Sequence, residues 1–171
     1  GGDLDAEACR RMGSVYLPDM TVHMLPVAIA QDSGSLLPGI PRRAMSLLVH
    51  LDRQTQIKTC EIVPSVVQSR ARMTYLEVDQ IVGGKASPHG RMMRDLDAIA
   101  RVFLKRRIEA GAIELRRPEI KVVVNPDGDI SVRSVESTGA RRMVAEFMVL
   151  ANRLLAEFCK TNNIPTIFRH Q

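Results

Sequence analysis

Alternation of apolar and polar residues predicts two hairpins. Residues 45–51 place apolar side chains at every second position, as expected of a strand with one apolar face. After a turn near residues 52–55, residues 57–67 are predicted to form the antiparallel partner. A second hairpin is predicted from residues 120–124 and 130–135, because Asp127 and Gly128 supply the turn chemistry between them.

Four segments have helical patterns. Residues 3–12 begin with acidic side chains and end at Gly13, and residues 74–82 begin at Thr74 with Glu77 at the position of a capping box. The other two predicted helices are longer, at residues 91–110 and at 139 to about 160. In the first of these, the predicted buried stripe is Met92, Leu96, Ile99 and Phe103.

The last predicted helix divides into three faces. Its core face is predicted to be Met143, Phe147, Leu150, Leu154 and Phe158. A second face alternates in charge, as a water-facing row of ion pairs does, and consists of Arg142, Glu146, Arg153 and Glu157. The third is small and nearly neutral, and consists of Ala145, Val149, Asn152 and Ala156. Its polar residue, Asn152, contacts either a neighbouring loop in the core or a ligand.

Together these patterns predict an α+β fold in which a curved, mainly antiparallel sheet is packed by two long helices. At 171 residues the chain fits one domain, and 24 basic against 19 acidic side chains give a net charge of +5. That charge suits a polyanionic partner without identifying one. No apolar run reaches the ~20 residues of a membrane span, so a cytoplasmic protein is expected.

Cysteine and histidine spacings indicate no metal site. Cys9, Cys60 and Cys159 are far apart and are predicted to be reduced, mostly buried thiols. The four histidines are equally scattered, and no group of acidic residues in the chain forms a convincing metal cage.

The two tyrosines are the strongest candidates for ligand contact. Tyr16 lies in a proline-braced segment, and Tyr75 follows Arg70 and Arg72, so rings that stack on bases would lie near side chains that bind phosphates. If the preceding strand runs on past residue 67, both arginines project from one face. The alternatives are rings that cap a core with the hydroxyl in water, and arginines that solubilise a sheet edge.

Several short blocks, in their order and spacing, resemble the catalytic (RNB) domain of the ribonuclease II / ribonuclease R family of 3′→5′ exoribonucleases. These blocks are residues 4–8, 14–18, 24–26, 35–39, 42–46, 69–78, 106–107, 111–113, 146–152 and 168–170. The resemblance implies processive hydrolysis of single-stranded RNA to 5′-mononucleotides with Mg²⁺. It also implies that the acidic metal-binding motif lies upstream of this chain and that a phosphate-binding arginine motif lies downstream. Residues 1–171 are then part of an RNB domain, inactive alone.

The same resemblance implies roles for individual residues. Tyr75 corresponds to the tyrosine of the catalytic site that stacks on the terminal nucleotide, and Tyr16 to a tyrosine that packs against nucleotides near the RNA 3′ end. Arg70, Arg72 and Asn152 are the remaining candidates for RNA contact. The family usually has a pair of glutamates at positions 145 and 146, the first of which is associated with the terminal ribose 2′-hydroxyl. This chain has Ala145 there, and Glu114 where some relatives have phenylalanine.

Two other functions are consistent with these residues. The substitution at Ala145 suggests a catalytically degenerate module of the same family that only binds RNA. A protein-interaction scaffold without an RNA role is the third interpretation. Because the predicted sheet is incomplete, self-association or association with the rest of the parent protein is expected.

Overall fold

A computed structural model of the chain describes residues 2–114, 119–125, 127–135 and 137–168. The helices are α1 (Asp3–Arg11), α2 (Tyr75–Val82), α3 (Gly90–Glu109) and α4 (Gly139–Thr161), with a short π-helix at Ala28–Ser33. The strands are β1 (Val15–Tyr16), β2 (Thr21–Val22), β3 (Pro41–Leu51), β4 (Ile57–Gln68), β5 (Glu119–Val124) and β6 (Ile130–Val135). Residues 169 and 170, from the last block of the resemblance, and Pro126 of the second turn lie outside the described residues.

The α+β class is confirmed, and both predicted hairpins are present. Among the described residues the strands form three two-stranded sheets, β1–β2, β3–β4 and β5–β6, where the sequence suggested one curved sheet. The β5–β6 register pairs Val122 with Val132 and Val124 with Ile130. Residues 120, 122, 124, 130 and 132 therefore share one face of this hairpin, and all five are exposed.

The chain divides into two compact units. The first consists of residues 1–44, 64–72 and 117–136. In it, strand β4 ends at Gln68, whose Nε2 donates to the Gly39 carbonyl at 2.6 Å, while Gly39 N donates to Ser69 O at 2.8 Å. These bonds turn the chain away from the β ladder. The strand therefore ends close to the predicted residue 67 and does not run on through Arg70 and Arg72, so the condition under which both would project from one face is not met.

The second unit consists of residues 45–63, 73–116 and 137–171, and a small helical core forms where α2, α3 and α4 meet. Its buried residues are Val78, Ala100, Ala140 and Met143, with Met73, Val82, Met93, Leu96 and Phe147 packed against them. Phe103 and Phe147 meet edge to face at a centroid distance of 6.3 Å.

The predicted buried stripes of both long helices need correction. On α3, Ala100 is buried in the core and Met93 and Leu96 pack against it, whereas Met92 is 50% exposed. On α4, Met143 and Leu154 are buried as predicted, but Phe158 is exposed.

Cysteine burial was also predicted incorrectly. All three cysteines are free, Cys9 and Cys60 are exposed, and Cys159 is partly buried. Within the described part of the chain, no helix combines the length and the apolar character needed to cross a membrane.

Candidate nucleic-acid interface

A capping box fixes the start of α2, as the sequence predicted. Thr74 Oγ1 accepts a hydrogen bond from Glu77 N at 3.2 Å, and Glu77 Oε2 accepts from Thr74 N at 2.6 Å and from Thr74 Oγ1 at 2.8 Å. Both hydrogen bonds to Glu77 lower its pKa, and the bond from the Thr74 backbone has a larger effect than the bond from the Thr74 hydroxyl. Tyr75 is therefore the first residue of a helix whose start is fixed by reciprocal hydrogen bonds between Thr74 and Glu77.

The start of α4 is bound to α2 by Asp79. Its Oδ1 accepts a hydrogen bond from Ala140 N at 2.8 Å, a favourable position for a carboxylate because helix amino termini are electropositive. A Cβ at Gly139 would lie 3.2 Å from the same oxygen, so glycine permits this close approach. The contact brings the first turn of α4 beside α2.

The Tyr75 ring lies against Arg141 of that first turn. The guanidinium carbon of Arg141 is 4.5 Å from the ring centroid, which is the geometry of a cation–π contact. Tyr75 is 40% exposed. Tyr75 is therefore an exposed residue, and one that Arg141 partly covers.

Asn152 projects into solvent from the same helix. Residues 141, 145, 148 and 152 follow one another at spacings of four, three and four, so they form one face of α4, which we call the outer stripe. Ala145, Met148 and Asn152 are all exposed. The alternative in which Asn152 faces the core is therefore excluded, and the outer stripe has no carboxylate.

Glu146 is buried, which the sequence did not predict. It is only 5% exposed, and it accepts hydrogen bonds from Arg107 Nη2 at 2.6 Å and Nε at 3.3 Å. The hydrogen bond with Glu146 is the largest cause of the raised pKa of Arg107. The placement of Glu146 in a water-facing row is wrong, although the Arg153–Glu157 pair of that row is present at 3.6 Å.

Helical spacing contained a signal for the partial burial of Glu146, although none for its partner Arg107. Glu146 lies three residues after Met143 and four before Leu150, so it borders the core face of α4. Beside the pair is a cleft of about 420 Å³ lined by Phe103, Arg106, Val149 and Leu150 among others. Arg106 donates to the Thr55 carbonyl at 2.6 Å and to the Gln54 carbonyl, so both adjacent arginines support the fold.

The remaining predicted contacts belong to the first unit. Tyr16 is 79% exposed and pairs with Thr21 in a tight β1–β2 hairpin, which Leu17 N closes by donating to Met20 O at 2.8 Å. Arg70 and Arg72 are exposed beyond the end of β4. The structure brings Tyr75 and Asn152 into the second unit and Tyr16 with these two arginines into the first, and their roles in RNA binding stay predictions.

The resemblance places the magnesium ligands upstream of this chain. Among the described residues, no three His, Cys, Asp or Glu side chains are grouped closely enough to hold a metal ion.

Comparisons with known proteins match the whole chain. The family model described as "RNB domain" matches residues 1–171. An uncharacterized ribonuclease of Synechocystis sp. is 34% identical over 172 residues, covering 99% of this chain and 25% of the relative. Ribonuclease R of Chlamydia muridarum is 30% identical over 168 residues, covering 97% of this chain and 24% of the relative. The chain thus spans about a quarter of the length of these relatives.

The fold matches as well. The structure of Mycoplasma genitalium RNase R in complex with ribose-methylated single-stranded RNA superimposes with a TM-score of 0.86 at 24% identity, covering 95% of this chain and 26% of that one. The family match and the fold agree over nearly all residues. The chain belongs to the RNB domain family.

Proposed function

We propose that this chain is the nucleotide-holding part of a 3′→5′ exoribonuclease that degrades single-stranded RNA processively to 5′-mononucleotides. The observation that supports it most is the exposed Tyr75 ring, held at the capped start of α2. Base stacking on such a ring does not depend on sequence, and each stacked base contributes about 1–3 kcal/mol. A surface of this kind suits an enzyme that degrades any sequence.

We propose a separate RNA contact for each of the five candidate residues. Tyr75 stacks on the terminal base, and Asn152 of the outer stripe offers an amide to the strand beside it. Tyr16 packs against a further nucleotide, and Arg70 and Arg72 bind phosphates. All five side chains have exposed surface.

Catalysis is proposed to require residues outside this chain. Mg²⁺, held by an acidic motif of the parent protein, would supply the activated water, and a separate arginine motif would contact the scissile phosphate. Residues 1–171 are accordingly proposed to be one part of an RNB domain in a cytoplasmic enzyme. Alone, they are expected to bind RNA without cutting it.

Binding of a fluorescently labelled oligoadenylate tests the site. Tyr75→Ala is expected to weaken binding roughly 5- to 100-fold, the equivalent of one lost stacking interaction. Tyr75→Phe, which keeps the ring, is the matched control and should retain most of the affinity. Unchanged binding by Tyr75→Ala would contradict the site and would favour the protein-interaction scaffold.

The expected inactivity is tested by incubating the chain with labelled poly(A) and Mg²⁺. No mononucleotide should appear on a denaturing gel or by chromatography. Release of 5′-mononucleotides that depends on this chain would show that the chain contains a complete active site. It would overturn the proposal that catalysis requires residues outside the chain.

A catalytically degenerate RNA-binding module is the second candidate, and Ala145 favours it. The position is exposed on the outer stripe, and no carboxylate of that stripe is available to a ribose hydroxyl. The coding sequence upstream separates the two candidates. An intact acidic motif would support the enzyme, and an eroded one would support the module.

Association with the rest of the parent protein, or with a second copy, is also part of the proposal. The β5–β6 hairpin supports it because Ile120, Ile130 and Val132 are each at least 66% exposed on one face. Sedimentation of the chain against a Val132→Lys variant tests this. The substitution should reduce self-association. If the unsubstituted chain and the variant both sediment as monomers, association with a second copy is ruled out.

A further inference from the structure

We propose that Arg141 is a nucleic-acid-binding residue that acts jointly with Tyr75. The Tyr75 ring stacks on a terminal base, while the edge of the Arg141 guanidinium binds a phosphate of the same strand. This inference rests on the proposed function, since it adds a contact to the same site.

The Arg141 side chain is partly buried, and its guanidinium carbon lies 4.5 Å from the Tyr75 ring centroid. A guanidinium has five N–H donors, and a contact with the face of a ring does not use them as hydrogen-bond donors to that ring. Within the described residues, the Arg141 side chain makes this ring contact and no hydrogen bond or ion pair. By contrast, three other arginines of α3 and α4 are each paired with a carboxylate, namely Arg101, Arg107 and Arg153.

Ala145 accounts for the lack of an ion pair between Arg141 and the next turn of α4. It lies four residues after Arg141, where a carboxylate would form an ion pair on the helix surface. The molecule has such pairs elsewhere, between Arg91 and Asp95 and between Arg153 and Glu157. Alanine at position 145 therefore leaves the cation beside the Tyr75 ring without an ion-pair partner one turn along the helix.

The position of Arg141 in its helix independently favours an anion. The first turn of α4 contains Arg141 and Arg142 and no acidic residue. Cations are unfavourable at a helix amino terminus, where the peptide dipoles already present positive charge. Asp79 bonds to one backbone N–H there. A phosphate bound at Arg141 would offset the remaining positive charge.

The test measures the binding of a short labelled single-stranded oligonucleotide by the full 171-residue chain over a range of salt concentrations. Each phosphate contact in a single strand adds about 0.7 to the slope of log affinity against log salt. Arg141→Ala is expected to reduce that slope by about 0.7 and to weaken binding roughly tenfold at low salt. Arg141→Lys keeps the charge but not the planar stack, so it should retain the slope and lose part of the affinity.

Arg142→Ala is the matched control, because it removes the same charge from the adjacent position, 100° around the helix. It should change affinity by less than about twofold. Equal effects of Arg141→Ala and Arg142→Ala, or no effect of Arg141→Ala, would overturn the inference.

Tyr75→Ala, measured in parallel, separates this inference from the proposed function. If Tyr75→Ala weakens binding while Arg141→Ala does not, the stacking site stands and the role of Arg141 falls. If Tyr75→Ala has no effect, the proposed site itself is wrong and the joint role of Arg141 falls with it. Circular dichroism of each variant confirms that the helices are intact.

Discussion

Glu146 is a charged residue in a position that an apolar side chain usually occupies. A buried carboxylate is tolerated only when its oxygens receive hydrogen bonds, and both Glu146 oxygens accept from Arg107. Arg107 is itself 40% exposed along its side chain, so the pair connects the core to the cleft beside it. Two residues that resemble ordinary surface charges in the sequence therefore form a partly buried link between α3 and α4.

Removal of Arg107 should destabilise the protein more than its half-exposed side chain suggests. Arg107→Ala leaves Glu146 buried without a partner, and we expect the free energy of unfolding to fall by roughly 1–3 kcal/mol in urea denaturation. Glu157→Gln is the control for an exposed ion pair. Glu157 lies on α4, as Glu146 does, and pairs with Arg153 at the solvent-exposed surface. The effect of Glu157→Gln should stay below about 1 kcal/mol. Similar losses for both variants would contradict a structural role for the Arg107–Glu146 pair.

Glu7 should titrate at unusually low pH. Hydrogen bonds from Arg10 and Arg11 lower its pKa from the ordinary 4.5 to about 2. Because the folded value is the lower one, this contribution to stability is complete above about pH 4.5 and is lost as the pH falls toward 2. The Glu7 carboxyl carbon, followed by NMR, should show this midpoint, and Arg10→Ala should raise it. A midpoint near 4.5 in the unsubstituted chain would contradict the ion pairs.

At the scale of elements, the features that could be predicted from the sequence are those that depend only on residues close together in the chain, such as caps and turns. The α2 capping box needs only Thr74 and Glu77, three positions apart, and the Asp127–Gly128 turn needs only its own residues. Met92 and Met93 are equally apolar, and the choice between them depends on the direction from which α4 approaches. The burial of Glu146 likewise requires an arginine 39 positions away. Contacts of this second kind cannot be read from local spacing.

The α2 cap should affect binding as well as stability. Thr74→Ala removes the hydroxyl that Glu77 N bonds to, and we expect a loss of about 1 kcal/mol in the free energy of unfolding. Because Tyr75 is the next residue, RNA affinity should also fall several-fold. Thr74→Ser keeps the hydroxyl and should preserve both. Unchanged RNA affinity in a destabilised Thr74→Ala variant would show that the cap does not orient the ring.

At the scale of the whole molecule, burial is unequally distributed. The buried apolar residues are Val78, Ile81, Ala100, Ala140, Met143 and Leu154. All six belong to the second unit. The described residues of the first unit include none, so its hydrogen-bonded hairpins have little apolar burial to stabilise them.

Amide hydrogen exchange should reflect this difference. We expect slow exchange in α3 and α4 and fast exchange in α1, β1–β2 and β5–β6, since local opening is easiest where few apolar contacts are broken. Mass spectrometry of peptic peptides measures both units in one experiment. Equal protection in the two units would mean that the chain opens as a single cooperative block.

The outer stripe of α4 also sets a length scale. Arg141 and Asn152 are 11 positions apart, which corresponds to about 16 Å along a helix. A strand whose nucleotides stack about 3.4 Å apart would need roughly five of them to pass both side chains. If one RNA strand contacts both side chains, affinity should rise with each added nucleotide up to about that number and level off for longer RNA.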